Sequence, residues 1–311
     1  AGNGLFKHDL YAKPFGVLKK ETNQPNSLAA DNIFSVSVMA SGTIWIGTRS
    51  NGISIYNPIA HTFTHIQKSP VSKTGLNSND IRSIFEDSQG NVWIGTWGGG
   101  LNRIDAISGK YTYFTLQPDD PLFMLLDNFV TGVCEDSTGA IWVTTTRGLS
   151  CIRQQGSTAK VIKNYQYAEG KGQYAPSGLR LDAVFADNNG QIWLGTETSG
   201  VSVFNPCSET FTHLTYNPGD ALSLGGIKVN VIYEDSRNRL WVGCAGGGLN
   251  LFLPNQKRFK HYTEQNGLPN DDIKGIMEDN KGNLWVTTSN GLSCFNPDAE
   301  TFQNYLQQDG L

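Results

Sequence analysis

The sequence has no surplus of positive charge: 24 Lys and Arg stand against 28 Asp and Glu, for a formal net charge of −4. Phosphate binding normally needs a basic face or stripe, so nucleic acid is not an expected partner. No apolar run is long enough to span a bilayer. Cysteine is scarce, with five residues and no CxxC spacing, which argues against a metal or redox site. Cys134, Cys151 and Cys294 fall among strand-like residues and read as small buried hydrophobes. Histidine is equally scarce, at five. Charged residues make up only 17%, fewer than a helical protein of this size would carry. What is plentiful is glycine (35 residues) and aromatic side chains (11%), a mixture that suits an all-β chain with many tight turns.

The aromatics recur at a fixed period. Trp45, Trp93, Trp142, Trp193, Trp241 and Trp285 each open a Trp-aliphatic-Gly/Thr-Thr/Cys string, with spacings of 48, 49, 51, 48 and 44 residues. Trp97 alone is out of register. A period of about 45–50 residues is that of a propeller blade. Residues 81–86 read as a first strand and Asp87-Ser88-Gln89-Gly90 as a turn, in which Asp bonds the backbone ahead and Gly supplies positive φ. Residues 91–96 form a second strand, Gly98-Gly99-Gly100 a second turn, and residues 101–105 and 111–115 the third and fourth strands. Four short antiparallel strands make one blade.

The first turn recurs at Asp136, Asp187 and Asp279, each followed three residues later by Gly. The fifth copy has Asn238 in place of that Gly, and Asn tolerates the left-handed region. Gly52, Gly100, Gly148, Gly200, Gly248 and Gly291 precede the third strands. Asn57-Pro58, Asn205-Pro206 and Asn296-Pro297 mark the third turn. A blade cannot bury both faces alone; stacking around an axis does so, and the register tryptophans are expected to pack between blades.

The fold expected is therefore an all-β β-propeller of seven-bladed type, with complete four-stranded blades over residues 28–68, 76–116, 125–166, 178–217, 224–263 and 268–305. Residues 4–9 match residues 100–105, so residues 1–20 are expected to supply a half blade. Residues 308–311 match the lead-in at 265–268, so the chain is expected to be part of a larger ectodomain.

The string Asp-x-x-Gly-Asn-x-Trp-Ile-Gly-Thr-x-x-Gly-Gly-Leu-Asn at residues 87–102, and the lead-in at residues 217–224, resemble the repeats of two-component regulator propellers. The resemblance covers essentially the whole chain. It implies the periplasmic sensor propeller of a Bacteroidetes-type hybrid two-component histidine kinase. In such receptors a further propeller, an immunoglobulin-like domain, a transmembrane helix, a kinase and a DNA-binding regulator share the chain. It also implies an oligosaccharide or other small periplasmic ligand and a homodimeric receptor. No cofactor is expected.

Two other classes remain open. Streptogramin lyases are propellers with a similar repeat, and many propellers are protein-interaction scaffolds. A lyase needs a positioned base. His65, His213 and His261 fall on fourth strands, His8 on a third strand and His61 in an outer turn, all away from the expected mouth. The pairs Glu86-Asp87, Glu135-Asp136, Glu234-Asp235 and Glu278-Asp279 suggest a glycosidase only superficially: neighbours on a strand point to opposite faces, and the pairs recur once per blade. The same turn resembles part of a calcium loop without its later acidic ligands. No catalytic residue and no metal ligand is expected.

In a four-stranded blade, the loop between strands two and three and the loop into strand one emerge on the same face. Departures from the repeat there are the candidate site: Arg49, Trp97, Arg147, Glu197 and Asn290 in the first set, and Asn128, Phe129, Arg180, Lys228 and Asp271 in the second. The lead-in Pro121-Leu122-Phe123-Met124 also departs, and Trp97, Phe123 and Phe129 are expected to cluster. An aromatic platform rimmed by Arg and Asn suits a sugar. Phe123 and Met124 could equally pack the loop or meet a neighbouring domain. Arg49, Arg147, Arg180 and Lys228 leave open an acidic glycan.

Overall fold

A computed structural model describes residues 15–69, 74–117, 119–156 and 158–309. Six four-stranded antiparallel sheets follow one another along the chain, each in the order first to fourth strand. Blade 1 comprises β1 (Ile33–Val38), β2 (Ile44–Thr48), β3 (Ile53–Asn57) and β4 (Thr62–Ile66). Blade 2 comprises β5 (Ile81–Glu86), β6 (Val92–Thr96), β7 (Gly100–Ile104) and β8 (Tyr111–Phe114). Blade 3 comprises β9 (Val130–Glu135), β10 (Ile141–Thr145), β11 (Gly148–Gln155) and β12 (Thr158–Gln166). Blade 4 comprises β13 (Leu181–Ala186), β14 (Ile192–Thr196), β15 (Val201–Asn205) and β16 (Thr210–Leu214). Blade 5 comprises β17 (Val229–Glu234), β18 (Leu240–Cys244), β19 (Leu249–Leu253) and β20 (Arg258–Tyr262). Blade 6 comprises β21 (Ile273–Glu278), β22 (Leu284–Thr288), β23 (Gly291–Asn296) and β24 (Thr301–Tyr305). Helix among the described residues is confined to single 3₁₀ turns in the connections.

First strands pack on first strands, β1 on β5, β5 on β9 and so on to β21, which places them around the axis and the fourth strands outermost. No comparable packing joins β21 to β1 among the described residues. The core lies between blades. Trp93, Leu101 and Phe114 of blade 2 pack against Val130, Val133, Ile141 and Val143 of blade 3, and the same pairing of faces repeats onward. Alternation along each strand delivers both faces from one sequence pattern.

The Glu-Asp pairs are structural. Asp87 Oδ2 accepts the Trp93 indole N–H at 2.7 Å, while Oδ1 accepts the amides of Gln89 and Asn91 and so closes the turn. Burial alone would raise the Asp87 carboxyl; the bonds from Trp93, Asn91 and Gln154 outweigh it and hold it below its ordinary value. Glu135 reaches back to blade 2 and accepts the Ser88 amide and hydroxyl, both at 2.7 Å. Glu86, Glu234 and Glu278 hold the preceding blade's turn in the same way. One carboxylate thus closes its own hairpin and its neighbour ties two blades. Blade 1 has Val38 and Met39 at these two positions. Asn238 takes the turn glycine's place with φ of 60°, as its chemistry allows.

The expected half blade is not seen. Residues 4–9 lie outside the described residues, and residues 15–20, inside them, form no strand. Phe15 packs edge-on against Tyr305 of the outermost strand of blade 6, ring centres 5.0 Å apart. Among the described cysteines Cys134, Cys151 and Cys244 are buried and Cys207 is exposed. Burial pushes the Cys151 and Cys244 thiols up to about 12, which makes them inert packing groups.

Candidate ligand-binding mouth

The loop pairing read from the sequence is present in every blade. The residue after each second strand donates its amide to the residue before the first strand: Arg49 to Asn32, Trp97 to Asp80, Thr146 to Phe129, Glu197 to Arg180, Ala245 to Lys228, and Ser289 to Asp272. These bonds gather the two sets of loops on one face. Gly98 and Gly100 both donate to the Asn128 carbonyl, and Gly52, Gly200 and Gly248 donate likewise to Asn79, Ile227 and Asp271, which ties these loops to the next blade's lead-in.

Trp97 and Phe129 meet there, ring centres 4.8 Å apart and inclined at 60°. Trp97 is half-buried and Phe129 exposed at 36%. The Arg82 guanidinium lies 4.7 Å from the Trp97 ring and 4.0 Å from the Phe34 ring, and Arg180 lies 5.6 Å from Trp97. A stack of alternating rings and guanidiniums therefore reaches from blade 1 to blade 4 across the mouth. Contacts of this kind are favourable because the cation meets the negative face of the ring.

Beside it, a cavity of about 600 Å³ is lined by Asp127, Phe129, Thr146, Arg147, Gln166, Tyr167 and Leu179. Asp127 is buried and accepts from the Thr146 hydroxyl, and Arg147 lies 3.9 Å from it. Arg180 bonds Asp182 at 2.7 Å and approaches Glu197 at 3.4 Å; Lys228 approaches the same Glu197 oxygen at 3.8 Å.

Of the residues singled out in the sequence, the structure brings together Trp97, Phe129, Arg180, Glu197 and Lys228, with Arg147 adjacent. Arg49 is exposed on blade 1, with no carboxylate within 4 Å among the described residues. Phe123 is set apart: it packs on Phe114, ring centres 5.4 Å apart, against the core between blades 2 and 3. The lead-in starts at the outermost strand and only its last residues reach the mouth, so a departure near its start lies at the rim. Asn128 is engaged by the fold, its side chain accepting the Leu116 amide at 2.7 Å. Asp31, Asn79 and Asp271 hold the amides of Lys20, Lys68 and Glu264 equivalently. Asn290 extends toward the Pro269 carbonyl of its own lead-in.

Sequence reasoning missed Phe34, Arg82, Asp182 and Tyr167. The first three occupy the second position of the first strand, where Thr131, Asn230 and Lys274 also stand. That position bridges first strands: Thr131 donates to the Leu181 carbonyl and Asn230 to the Ile273 carbonyl. Its signal was variable, mostly polar identity inside an otherwise apolar strand.

The described histidines are pins. Nε2 of His65, His213 and His261 meets the carbonyls of Pro25, Gly172 and Ser223, anchoring the lead-ins to the fourth strands. His61 is a left-handed turn residue with φ of 53°, and His8 lies outside the described residues. No three metal-ligating side chains cluster among the described residues.

Fold and mouth define a propeller of six four-stranded blades with a mixed aromatic and polar surface at one end of its axis. Residues 75–98, 124–147, 223–246 and 267–290 match the model of the two component regulator propeller family. The extracellular domain assigned to the hybrid two component system BT3049 of B. thetaiotaomicron is similar over 95% of this chain, with 26% identity and a TM-score of 0.78. The corresponding domain of BT4673 from the same organism aligns over 91% of the chain, at 18% identity and a TM-score of 0.59. Virginiamycin B lyase from Staphylococcus aureus, solved in a catalytically inactive form with quinupristin, shares the fold over 93% of this chain and 87% of its own, at 18% identity and a TM-score of 0.65. The chain spans 36% of the BT3049 structure and 44% of that of BT4673. Among curated proteins none matches significantly. No described helix is long and apolar enough to cross a membrane.

Proposed function

We propose that this propeller is a periplasmic ligand-sensing domain of a hybrid two-component histidine kinase, and that it recognises an oligosaccharide at the mouth. The observation that carries the reading is the Trp97–Phe129 pair, whose Phe129 ring lines a cavity with Tyr167, Arg147 and Gln166. Aromatic faces take the C–H face of a pyranose, and a few placed polar groups orient its hydroxyls. Similarity to receptor ectodomains supports the setting. A ligand shifts a receptor only by its differential affinity for two arrangements. Blades tied by carboxylates are stiff, so the expected change is rigid-body movement between domains or protomers of a dimer, with little change inside a blade.

The lyase reading is less favoured because the described fourth-strand histidines are spent on lead-in carbonyls. A pure interaction scaffold would use the same surface for a protein. A glycan-panel screen on the chain and on its parent receptor tests the proposal. Binding lost in Phe129→Ala supports it; turnover of any ligand, or binding of proteins only, refutes it.

A further inference from the structure

Resting on the mouth reading above, we infer that this site selects an uncharged, hydroxyl-rich ligand and discriminates against acidic ones. Cations gather at the mouth, and taken alone they suggest a receptor for carboxylate or sulfate. Carboxylate partners take up that capacity at Arg82, Arg180, Lys228 and Lys274; Arg147, the cation that lines the cavity, is 64% exposed and meets Asp127 only at 3.9 Å. Recognition of an oxyanion by arginine uses the two parallel N–H groups of its fork. Arg82 is paired with Asp80: Nη2 donates to one oxygen at 3.1 Å, and Nε lies 2.8 Å from the other in ion-pair contact without hydrogen-bond geometry. Arg180 gives Nε to Asp182, and its Nη1 faces Glu197. Lys228 shares that Glu197 oxygen, and Lys274 is held by Asp272 at 2.7 Å.

The pairs are built in. Asp182 and Asp80 each stand two residues from the arginine they hold, one on and one just before a first strand. Asp272 is braced by the Ser289 hydroxyl at 2.6 Å as well as by Lys274. The guanidiniums of Arg82 and Arg180 lie over the Trp97 ring at 4.7 and 5.6 Å, so turning either toward an incoming acid would break a ring contact as well as an ion pair. A carboxylate arriving at Arg180 or Lys228 would also meet Asp182 and Glu197, which stand against those cations. Like charges in a partly dry cleft repel strongly enough to offset what the cations return. A neutral pyranose meets no such opposition. Phe129, Tyr167 and Leu179 give it an apolar wall, and Gln166 gives it an uncharged donor and acceptor.

The test is titration calorimetry on the 311-residue chain with two length-matched probe sets. One holds neutral xylo-, manno- and gluco-oligosaccharides; the other holds oligogalacturonides and chondroitin sulfate fragments. Wild type, Glu197→Gln, Trp97→Ala and Phe129→Ala are compared, each checked for native melting behaviour. The expected result is binding of a neutral probe whose affinity moves less than about twofold between low and moderate salt, since no net charge is exchanged. Phe129→Ala should abolish it, and Glu197→Gln should raise affinity for the acidic set at least about threefold by releasing Arg180 and Lys228. Preference of wild type for an acidic probe, steeply salt-dependent and lost in Phe129→Ala, overturns the inference while leaving the mouth as the site. Binding of either set that Trp97→Ala and Phe129→Ala leave unchanged, or binding of neither, removes the oligosaccharide mouth and the inference with it.

Discussion

Asp136 accepts the indole N–H of Trp142 through Oδ2 at 2.7 Å, while its other oxygen accepts the amides of Thr138 and Ala140. The same geometry joins Asp87 to Trp93, Asp187 to Trp193, Asp235 to Trp241 and Asp279 to Trp285. The tryptophan that packs against the next blade is thereby fixed by its own hairpin. Removing the carboxylate leaves an indole N–H and turn amides without partners in a buried site. Asp136→Ala should therefore destabilise the chain by about 2–4 kcal/mol, read from urea midpoints, because unsatisfied buried donors cost more than a bond is worth net. Loss below about 0.5 kcal/mol would mean the turn is held by other means.

These carboxylates also set the acid limit. Burial would raise Asp136, but the bonds from Thr138, Trp142 and Ala140 hold it below its ordinary 3.8, and Asp87 behaves alike. Bonds from Asn283 bring Asp279 to about 2. A carboxylate whose folded value is depressed contributes stability above its unfolded value and loses it as pH falls through the folded one. Stability should thus be flat in pH above the ordinary carboxylate range and fall from about pH 4 downward toward pH 2. Asp136→Asn should flatten part of that fall, measured as urea midpoints at stepped pH. A slope unchanged in the variant would remove Asp136 from the account.

Trp97 and Trp93 give a contrast on one hairpin. Trp93 is fully buried between blades 2 and 3, and Trp→Ala in such a core costs about 3–5 kcal/mol. Trp97 is half-buried, and its contacts with Phe129, Arg82 and Arg180 give it a structural share that the glycine-rich loop did not suggest. Trp97→Ala should cost about 1–2 kcal/mol of stability, in line with partial burial and lost ring contacts. It should also weaken ligand binding by a further factor of about ten or more. Equal destabilisation by both substitutions would make Trp97 core and move the site elsewhere.

The blades were legible because the constraints that make them are local. Asp-x-x-Gly sets a turn, Trp follows at a fixed offset, and Gly100 at φ of 75° sits where an added Cβ would come within 2.2 Å of the Phe114 carbonyl. Such features recur because each blade solves the same packing problem. The mouth was only partly legible because its members come from different blades. Trp97 and Phe129 could be paired from loop logic, since both stand at loop ends that the repeat brings to one face. Arg82 could not, because its partner rings lie on blades 1 and 2 and its position reads as an ordinary strand residue. Phe123 was misplaced because a lead-in crosses the whole blade from rim to axis, and sequence offset alone does not say where along that path a side chain falls.

The first strands offer the last contrast. Ile84, Val133 and Ile232 hold equivalent positions in blades 2, 3 and 5 and are buried against the preceding blade. Val36 holds that position in blade 1 and is 54% exposed, with Ile33 and Val38 exposed beside it. Val38 also stands where Glu86, Glu135, Glu234 and Glu278 tie back to the turn before them, so this face carries no carboxylate tie of that kind. A buried aspartate with no cation beside it is costly, whereas an exposed one is nearly neutral. Ile84→Asp should therefore unfold the chain or cost more than about 4 kcal/mol, whereas Val36→Asp should stay within about 1 kcal/mol of wild type in urea unfolding. If the chain self-associates through this strip, Val36→Asp should lower that association, measured by sedimentation velocity across a concentration series. If Val36→Asp proves as damaging as Ile84→Asp, this face is covered in solution by protein that packs as a blade does.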